Sequence, residues 1–295
     1  MIRVVVVGDV MLDVVARPLT AIQPTSDTAA DVAIGGGGSA ANLAVALATG
    51  GCAVRYVGAV GDDPLGELAR ADLAARGVEV DLAVHAGPTG VVVAVVGADG
   101  QRAMLTRRGA NSALSAEDVL ARLRAPFDHL HVSGYTILDD ATRAVARVAI
   151  DAARARGAGV SVDACSVAPL RELGAARFLE AAAGATMIFA NEEEAVALAD
   201  AGDAAAAAAV LATRGPEVLV TRGARGAIVV SSDGEVQVPS RATRVVDTTG
   251  AGDAATGAYL AARLSGASVA GALERAMDAA ARAVEGLGAR TQSRW

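Results

Sequence analysis

The segment best suited to chemistry runs from Val245 to Asp253, reads VVDTTGAGD, and has an alanine-rich stretch directly behind it. Glycines at a helix start leave backbone N–H groups free to converge on an anion, and the helix dipole adds positive potential there. Gly250, Ala251 and Gly252 therefore predict a cradle for a phosphoryl group in transfer. Asp253 is the candidate base, because phosphoryl transfer asks its base mainly to orient the attacking hydroxyl and accept its proton late. We expect the positive field to keep Asp253 ionised and therefore a weak base.

Two segments also match the GxGxxA pattern of dinucleotide-binding proteins: Gly250 to Ala255, and the glycine run from Gly35 to Asn42. A dinucleotide fold needs a long strand before such a loop and an acidic residue closing the next strand, about 20 residues on. Neither segment has both features. The dehydrogenase interpretation is therefore set aside.

The composition removes whole mechanisms. All 26 basic residues are arginine, and the chain has no lysine. A Walker A loop and pyridoxal-phosphate chemistry both require a lysine, so both are excluded. Any phosphate must instead be bound by backbone amides, helix N-termini, arginine or metal.

Charge and hydropathy argue against two kinds of partner. The net charge is −7 and the arginines are scattered, whereas nucleic-acid binding requires a concentrated basic surface. The apolar runs, such as 4–7 and 185–190, are far shorter than the roughly 18 residues that cross a bilayer, so no membrane partner is expected. Asp9 and Asp13 interrupt the apolar N-terminus, which argues against a signal peptide. We therefore expect a cytoplasmic protein.

Short β-branched runs alternate with alanine-rich helical stretches over most of the chain, which is typical of an α/β fold with a mostly parallel central sheet flanked by helices. The predicted strands cover residues 2–7, 53–57, 130–133, 159–163, 187–190, 218–221 and 227–230. The predicted helices cover residues 39–48, 65–76, 116–123, 141–156, 192–198, 204–212, 251–264 and 269–284. Residues 14–34 and 80–106 alternate like strands with no helix between them, so they predict a small β-sheet lid with a hairpin turn at Asp99-Gly100.

Four motifs follow one another along the chain: GGSAAN at 37–42, GAVGDDPLG at 58–66, NEEE at 191–194 and DTTGAGD at 247–253. In this order and at these separations they resemble the signatures of ribokinase-like (PfkB-type) carbohydrate kinases, over nearly the whole length. The resemblance implies one ribokinase-like domain over residues 1–295 with a small β lid. It also implies transfer of the γ-phosphoryl group of ATP to a primary hydroxyl of a sugar, with Asp253 as catalytic base and residues 250–253 as the anion hole.

The resemblance implies roles on the acceptor side as well. Asp13, Gly37, Gly38 and Asn42 match positions that bind substrate hydroxyls, and a carboxylate beside an amide can fix the paired hydroxyls of a sugar. The alternative for Asp13 is a solvated strand end. Arg108 points either at a substrate anion or, as is more usual for a surface arginine, at solvent.

Asn191 and Glu194 match the motif that acts through Mg²⁺ and its waters, an arrangement of hard oxygen ligands. The alternative is an acidic helix start stabilised by the dipole, and both interpretations can hold together. Asp247 and Thr249 match a loop that binds a monovalent cation in potassium-activated members. Alternatively, Asp247 only buttresses the anion cradle.

Thr221, Gly223 and Gly226 match the nucleotide-side loop, in which small residues let the adenosine and phosphates approach the backbone. The same segment also reads as a plain strand, turn and strand. Asp278 matches a position near the adenine. The resemblance thus implies ATP and Mg²⁺ as cofactors, with K⁺ as a further candidate.

The acceptor is predicted to be a neutral sugar. In ribokinases and in phosphosugar kinases that resemble them, the glycine motif often carries a lysine, and Ser39 stands at that position here. A second phosphate on the acceptor would need a positive group near the pocket, which Arg107 or Arg108 would have to supply. Met11 stands where ribokinases often have asparagine, which argues against ribose itself.

Two alternative functions stay open. A nucleoside kinase, for adenosine or pseudouridine, would need a ring to stack the base, and with aromatic residues at 2% the candidates are Tyr135, Phe127 and Phe189. A catalytically idle sugar-binding protein is disfavoured by the presence of Asp253 with its glycine cradle. The open edges of a β lid also predict a homodimer formed through the lids.

Overall fold

The structure is a computed structural model that describes residues 1–97, 102–286 and 288–290. The strands are β1 (Arg3–Val7), β2 (Met11–Pro18), β3 (Ala30–Gly37), β4 (Ala53–Gly61), β5 (Glu79–His85), β6 (Gly90–Val96), β7 (Arg102–Arg107), β8 (His129–Val132), β9 (Gly159–Asp163), β10 (Met187–Asn191), β11 (Glu217–Thr221), β12 (Ala227–Ser231) and β13 (Gly234–Val238). The helices are α1 (Ser39–Thr49), α2 (Pro64–Ala75), α3 (Ala116–Arg122), α4 (Gly134–Leu138), α5 (Arg143–Arg154), α6 (Val167–Leu173), α7 (Ala175–Ala181), α8 (Glu192–Ala199), α9 (Ala204–Ala212), α10 (Ala251–Leu264) and α11 (Val269–Ala283). The predicted turn at Asp99-Gly100 lies outside the described residues.

A nine-stranded sheet in the order β13-β12-β11-β10-β9-β8-β1-β4-β5 forms the centre of the protein. Its strands are parallel from β5 to β11, and β12 and β13 add an antiparallel edge. Val5 and Val7 of β1 pack into one hydrophobic core, while Val4 and Val6 pack into a second core on the opposite face. A strand buried on both faces explains the uninterrupted valine run. The predicted α/β fold is confirmed.

A separate four-stranded sheet in the order β3-β2-β6-β7 lies beside the large one. The small sheet differs in extent from the two segments predicted to form it. Its first pair spans residues 11–37, so Asp13 lies on β2 and not at the end of β1 as the sequence suggested. The residues of the second predicted segment up to position 85 belong instead to β5, which pairs in parallel with β4 in the large sheet. The alternation along β5 looks the same in either sheet, and only the βαβ crossover through α2 decides between them.

Several elements were not predicted: α4, α6, α7 and β13. The three helices have at most seven residues, too few for a clear helical period. Within the described part of the chain, no single helix has the length and apolar content of a membrane span. The bent pair α8 and α9 meets both criteria only when taken together, and its buried apolar residues belong to the protein core.

Two helices approach closely at the edge where the parallel strands end. A Cβ atom added to Gly257 of α10 would lie 2.4 Å from the Cβ atom of Ala46 on α1, so only glycine permits this approach. The contact brings the start of α1, with Ser39 and Asn42, next to the start of α10, with Asp253. Ligands of parallel α/β sheets bind beyond the carboxyl ends of the strands, and this pair of helix starts lies at such a place.

Candidate active site

A cavity of about 830 Å³ opens between the strand ends, the start of α10 and the small sheet. That volume suits ligands of the size of a nucleotide or sugar. The cavity wall includes most of the residues predicted from the sequence: Asp13, Gly38, Asn42, Arg108, Asn191, Glu194, Thr221, Thr249, Gly250, Gly252 and Asp253. The predicted residues that do not line it are Gly37, Gly223, Gly226, Asp247, Ala251 and Asp278.

Asp253 is held by two hydrogen bonds. The Ser39 hydroxyl donates to its Oδ1 at 2.7 Å, and the Asn42 Nδ2 donates to its Oδ2 at 2.8 Å. Burial raises the pKa of Asp253 to about 6, although both hydrogen bonds act to lower it. The pKa thus lies above the range expected for a carboxylate at a helix start, because loss of solvation raises it. The carboxylate is still largely ionised at neutral pH, and its proton affinity suits a general base.

The start of α10 has the geometry of an anion site. Gly250 precedes the helix at φ 75°, and no side chain caps the helix start. Gly250 and Gly252 line the cavity, so the first-turn amides lie where an anion would be bound. Ala251 contributes less than predicted, because its N–H donates to the Thr248 carbonyl at 3.3 Å and the residue does not line the cavity.

Asp247 accepts three hydrogen bonds that hold the loop before α10 in place. Its Oδ1 accepts from the Thr249 amide at 2.9 Å and from the Thr249 hydroxyl at 2.7 Å, and its Oδ2 accepts from the Gly288 amide at 2.8 Å. These contacts match the buttress interpretation. The role of Asp247 and Thr249 in binding a monovalent cation stays a prediction.

Asn191 and Glu194 form a reciprocal cap at the start of α8. The Glu194 backbone amide donates to the Asn191 side-chain Oδ1, and the Asn191 backbone amide donates to the Glu194 carboxylate, both at 2.9 Å. Burial, with smaller contributions from the carboxylates of Asp163 and Asp253, raises the pKa of Glu194 to about 7. The pair thus caps a helix and also places a buried carboxylate in the cavity wall. The role of Asn191 and Glu194 in binding Mg²⁺ through its waters stays a prediction.

Asp13 reaches the cavity from the small sheet. It is buried, and none of the described residues donates a hydrogen bond to its carboxylate. Burial raises its pKa to about 6. A Cβ atom at Gly37 would lie 2.0 Å from the Asp13 Oδ1, and one at Gly38 would lie 2.5 Å from the Asp9 carbonyl oxygen. The glycines therefore make room for the wall of the site, and Gly37 shapes the cavity without lining it.

The sequence suggested that Arg108 faces either a substrate anion or solvent. In the structure its guanidinium is instead paired with two carboxylates. Its Nη1 donates to Asp9 at 3.0 Å and its Nε donates to Asp139 at 2.9 Å. Its guanidinium also lies 5.6 Å from the centre of the Tyr135 ring. This pairing could not be predicted from the sequence, because the two carboxylate partners lie 99 and 31 residues away along the chain.

The predicted nucleotide residues are spread over two places. Thr221 ends β11 at the cavity wall, and Gly226 closes the following turn with its carbonyl accepting from the Arg222 amide at 2.7 Å. Gly223 has φ 56° in the same turn. Asp278 lies on α11 in an exposed ion pair with Arg241 at 2.8 Å. The nucleotide roles of these residues stay predictions.

Four residues of the site were not among the predicted site residues: Asp9, Ser39, Asp163 and Arg290. Asp9 and Asp163 follow or end parallel strands, so the strand-end rule could have indicated both. Asp163 accepts from the Gly134 amide at 2.6 Å and lies 3.2 Å from the Ser39 hydroxyl. Arg290 had no sequence signal at all. Of the candidate stacking rings, Tyr135 and Phe189 line the cavity, whereas Phe127 packs in the core.

Comparison with known proteins places this geometry in a family. The family model described as pfkB family carbohydrate kinase matches residues 1–295. An ATP-dependent ribose-1-phosphate kinase of Halopiger xanaduensis is 36% identical over 281 residues, which cover 94% of this chain and 90% of that protein. The ribokinase of Mus musculus is 30% identical over 280 residues, which cover 88% of this chain and 81% of that protein.

A solved structure agrees with these relatives. The adenosine kinase of Sinorhizobium meliloti superposes with a TM-score of 0.87 at 27% identity, covering 99% of this chain and 96% of that one. The match extends over both sheets and the site between them, since it covers nearly the whole chain. The resemblance seen in the four motifs is thereby confirmed, and the chain belongs to the pfkB family of carbohydrate kinases.

Proposed function

We propose that this carbohydrate kinase transfers the γ-phosphoryl group of ATP to a primary hydroxyl of a sugar, with Asp253 as the general base. The observation that carries the proposal is the Asp253 carboxylate, fixed by Ser39 and Asn42 at an uncapped helix start inside the cavity. A base and an anion cradle on one helix turn place the attacking hydroxyl and the phosphoryl group side by side.

In the reaction, the acceptor oxygen forms a bond to the γ-phosphorus as the bond from that phosphorus to the β,γ-bridging oxygen breaks. The acceptor proton passes to the Asp253 carboxylate, and ADP leaves with the bridging oxygen. The amides of Gly250 and Gly252 stabilise the charge on the transferring group. Ser39 and Asn42 keep the base oriented throughout.

Mg²⁺ fits the nucleotide side of the cavity. Glu194 is buried, its pKa is raised to about 7, and Asp163 and Asp253 contribute to that shift, so excess negative charge is concentrated there. Asn191 and Glu194 offer the hard oxygen ligands that Mg²⁺ prefers, and they would hold it through its waters. The ion, when bound with ATP, would neutralise charge on the phosphates.

The acceptor is a neutral sugar in this proposal, and the charges lining the cavity support it. The carboxylates in the wall are Asp9, Asp13, Asp139, Asp163, Glu194 and Asp253. Among the described wall residues, Arg108 is the only arginine, and it is already paired with two of these carboxylates. A phosphate on the acceptor would enter this negative surface without a free cation.

A phosphorylated sugar is the second candidate, favoured by the identity to the ribose-1-phosphate kinase of Halopiger xanaduensis. Arg108 would then have to exchange Asp9 or Asp139 for the substrate phosphate. A nucleoside is the third candidate, favoured by Tyr135 and Phe189 in the cavity wall and by the likeness to an adenosine kinase. The comparisons give no support to a catalytically idle protein.

A substrate panel tests the proposal. ADP release would be measured with ribose, fructose, 2-keto-3-deoxygluconate, adenosine and pseudouridine, and with ribose 1-phosphate, fructose 6-phosphate and tagatose 6-phosphate. We expect the highest kcat/KM with a neutral sugar. A higher value for a phosphorylated sugar would overturn the neutral acceptor, and Arg108→Met should then abolish the preference for the phosphate.

We further propose that the small sheet closes over the acceptor and joins two protomers. Its open strands carry exposed apolar side chains, namely Val32, Ile34, Met104 and Leu105. Exposed apolar strands at a sheet edge favour pairing with a second copy. Light scattering after size-exclusion chromatography should give a dimer that Leu105→Glu weakens, and a monomer for the unaltered chain would contradict this.

We also propose a cytoplasmic location, because the reaction consumes ATP.

A further inference from the structure

Arg290 is a buried arginine that none of the four motifs contains. It lies beyond α11, in the segment 288–290, and its side chain is only 3% exposed. Its ion-pair partner Asp72 belongs to α2 and is 2% exposed. Burying two charges is costly unless the hydrogen bonds around them are satisfied, so this pair requires an explanation beyond stability alone.

The guanidinium of Arg290 binds three elements at once. Its Nη1 pairs with the Asp72 carboxylate, its Nη2 donates to the Gly37 carbonyl at 2.6 Å, and its Nε donates to the Asn42 Oδ1 at 2.7 Å. These acceptors belong to α2, β3 and α1 respectively. Arg290 therefore fixes the turn between β3 and α1, from which the cavity wall is built.

The bond to Asn42 determines which way that amide faces. An arginine can only donate hydrogen bonds and an ionised carboxylate can only accept them. With its Oδ1 against the Arg290 Nε, the Asn42 amide must present its Nδ2 to Asp253, where it donates at 2.8 Å. If Arg290 were absent, the amide could rotate and place its oxygen against the carboxylate, which would repel it.

We infer that Arg290 is a positioning residue for the phosphoryl-transfer step, acting on Asp253 through Asn42, with Asp72 holding its charge in place. The inference rests on the proposed role of Asp253 as base. Arg290 touches neither substrate, because its guanidinium is enclosed by the three acceptors.

The charge of Arg290 acts on the same groups. It lowers the pKa of Asp253 and that of Asp13, both of which burial raises. Among the other titratable groups, Asp163 raises the pKa of Asp253, and Asp72, Arg76, Tyr56 and Asp13 act on Arg290. Removing the Arg290 cation should therefore move the acid limb of the kcat profile to higher pH.

Arg290→Met tests the inference, with Arg76→Met as the matched control. Arg76 also pairs with Asp72, at 3.0 Å, but the bond to Asn42 comes from Arg290. We expect Arg290→Met to lower kcat on the order of 10- to 100-fold, the loss that a misplaced reacting group brings, with the KM for ATP little changed and the acid limb raised. Arg76→Met should keep the kcat and pH profile of the unaltered enzyme. If Arg290→Met does not fold, the double variant Arg290→Met with Asp72→Asn, which removes both buried charges, is used in the same assays.

A double-mutant cycle with Asn42→Ala decides between positioning and a structural role. If Arg290 acts through Asn42, Arg290→Met should have no further effect on kcat in the Asn42→Ala background. Fully additive losses, or an unmoved acid limb, would overturn the inference. A different result would contradict the proposed function, namely an Asp253→Asn variant that keeps its turnover. If Asp253→Asn loses turnover while Arg290→Met does not, only the present inference is wrong.

Discussion

The start of α10 and the small sheet each bring a carboxylate into the cavity, and the two carboxylates differ in the hydrogen bonds that they accept. Asp253 of α10 accepts hydrogen bonds from Ser39 and Asn42, whereas Asp13 of β2 receives none from the described residues. Burial raises the pKa of both to about 6. The group assigned to the chemistry is thus oriented before substrate arrives, and the group assigned to recognition is left for the hydroxyls of the acceptor to satisfy.

The sharpest test of this difference is Asp253→Asn. The amide keeps the shape of the carboxylate but cannot accept the acceptor proton, so kcat should fall by about 10³-fold. ATP affinity, measured by calorimetry, should persist because the amides of Gly250 and Gly252 remain. Asp151→Asn is the matched control, since Asp151 is exposed on α5 and lies outside the cavity wall. Near-normal turnover of Asp253→Asn would remove the base from the mechanism.

Asp13→Asn should act on binding instead. Loss of a carboxylate that accepts two sugar hydroxyls should raise the KM for the acceptor on the order of 10- to 100-fold with a smaller change in kcat. Asp31→Asn, an exposed position on the neighbouring strand β3, serves as control. A fall in kcat at constant KM would mean that Asp13 and Asp253 share the same task.

Glu194→Gln should give a smaller loss, about 10-fold, which added Mg²⁺ partly restores. Glutamine can still accept from the Asn191 amide, so the helix cap survives while the charge is removed. Activity would be titrated against Mg²⁺ at fixed ATP. A variant whose activity does not respond to the magnesium concentration would leave Glu194 with its capping role alone.

The pH profile gives the finest comparison. Because the folded-state pKa of both Asp253 and Asp13 is about 6, kcat/KM should fall as the pH drops through 6 and both carboxylates take up protons. Glu194, with a pKa of about 7, adds a third protonation, so the limiting slope on a logarithmic plot should be near 3, and Asp13→Asn should reduce it to about 2. An unchanged slope would show that Asp13 does not have to be ionised for catalysis.

The parts of the site that follow from local sequence could be predicted. The glycines at 250 and 252 need no partner to form a helix start that binds anions, and the Asn191 cap with Glu194 involves residues three apart. The environment of Asp253 could not be predicted in the same way. Its pKa depends on burial by α1 and on the neighbouring Asp163, which are brought there by residues far away in sequence.

The boundary of the small sheet shows the same limit. Alternation predicted strands within 14–34 and 80–106, but alternation has the same period in every sheet. Pairing decided that β5 joins the large sheet and that β6 and β7 join the small one. Pairing depends on which strand lies adjacent, and single-sequence patterns carry no information about that.

By itself, the sequence determined the alternating α/β order, the absence of any lysine-based mechanism, and the helix start with Asp253 as the candidate base. Only the tertiary structure decided the partners of the charged groups. Arg108 reaches Asp9 and Asp139, and Arg290 reaches Asp72 and Asn42, across separations of up to 248 residues. An arginine side chain looks the same in the sequence whether it meets water or a carboxylate. Its role is decided by the packing that removes the water and brings the partner within hydrogen-bond distance.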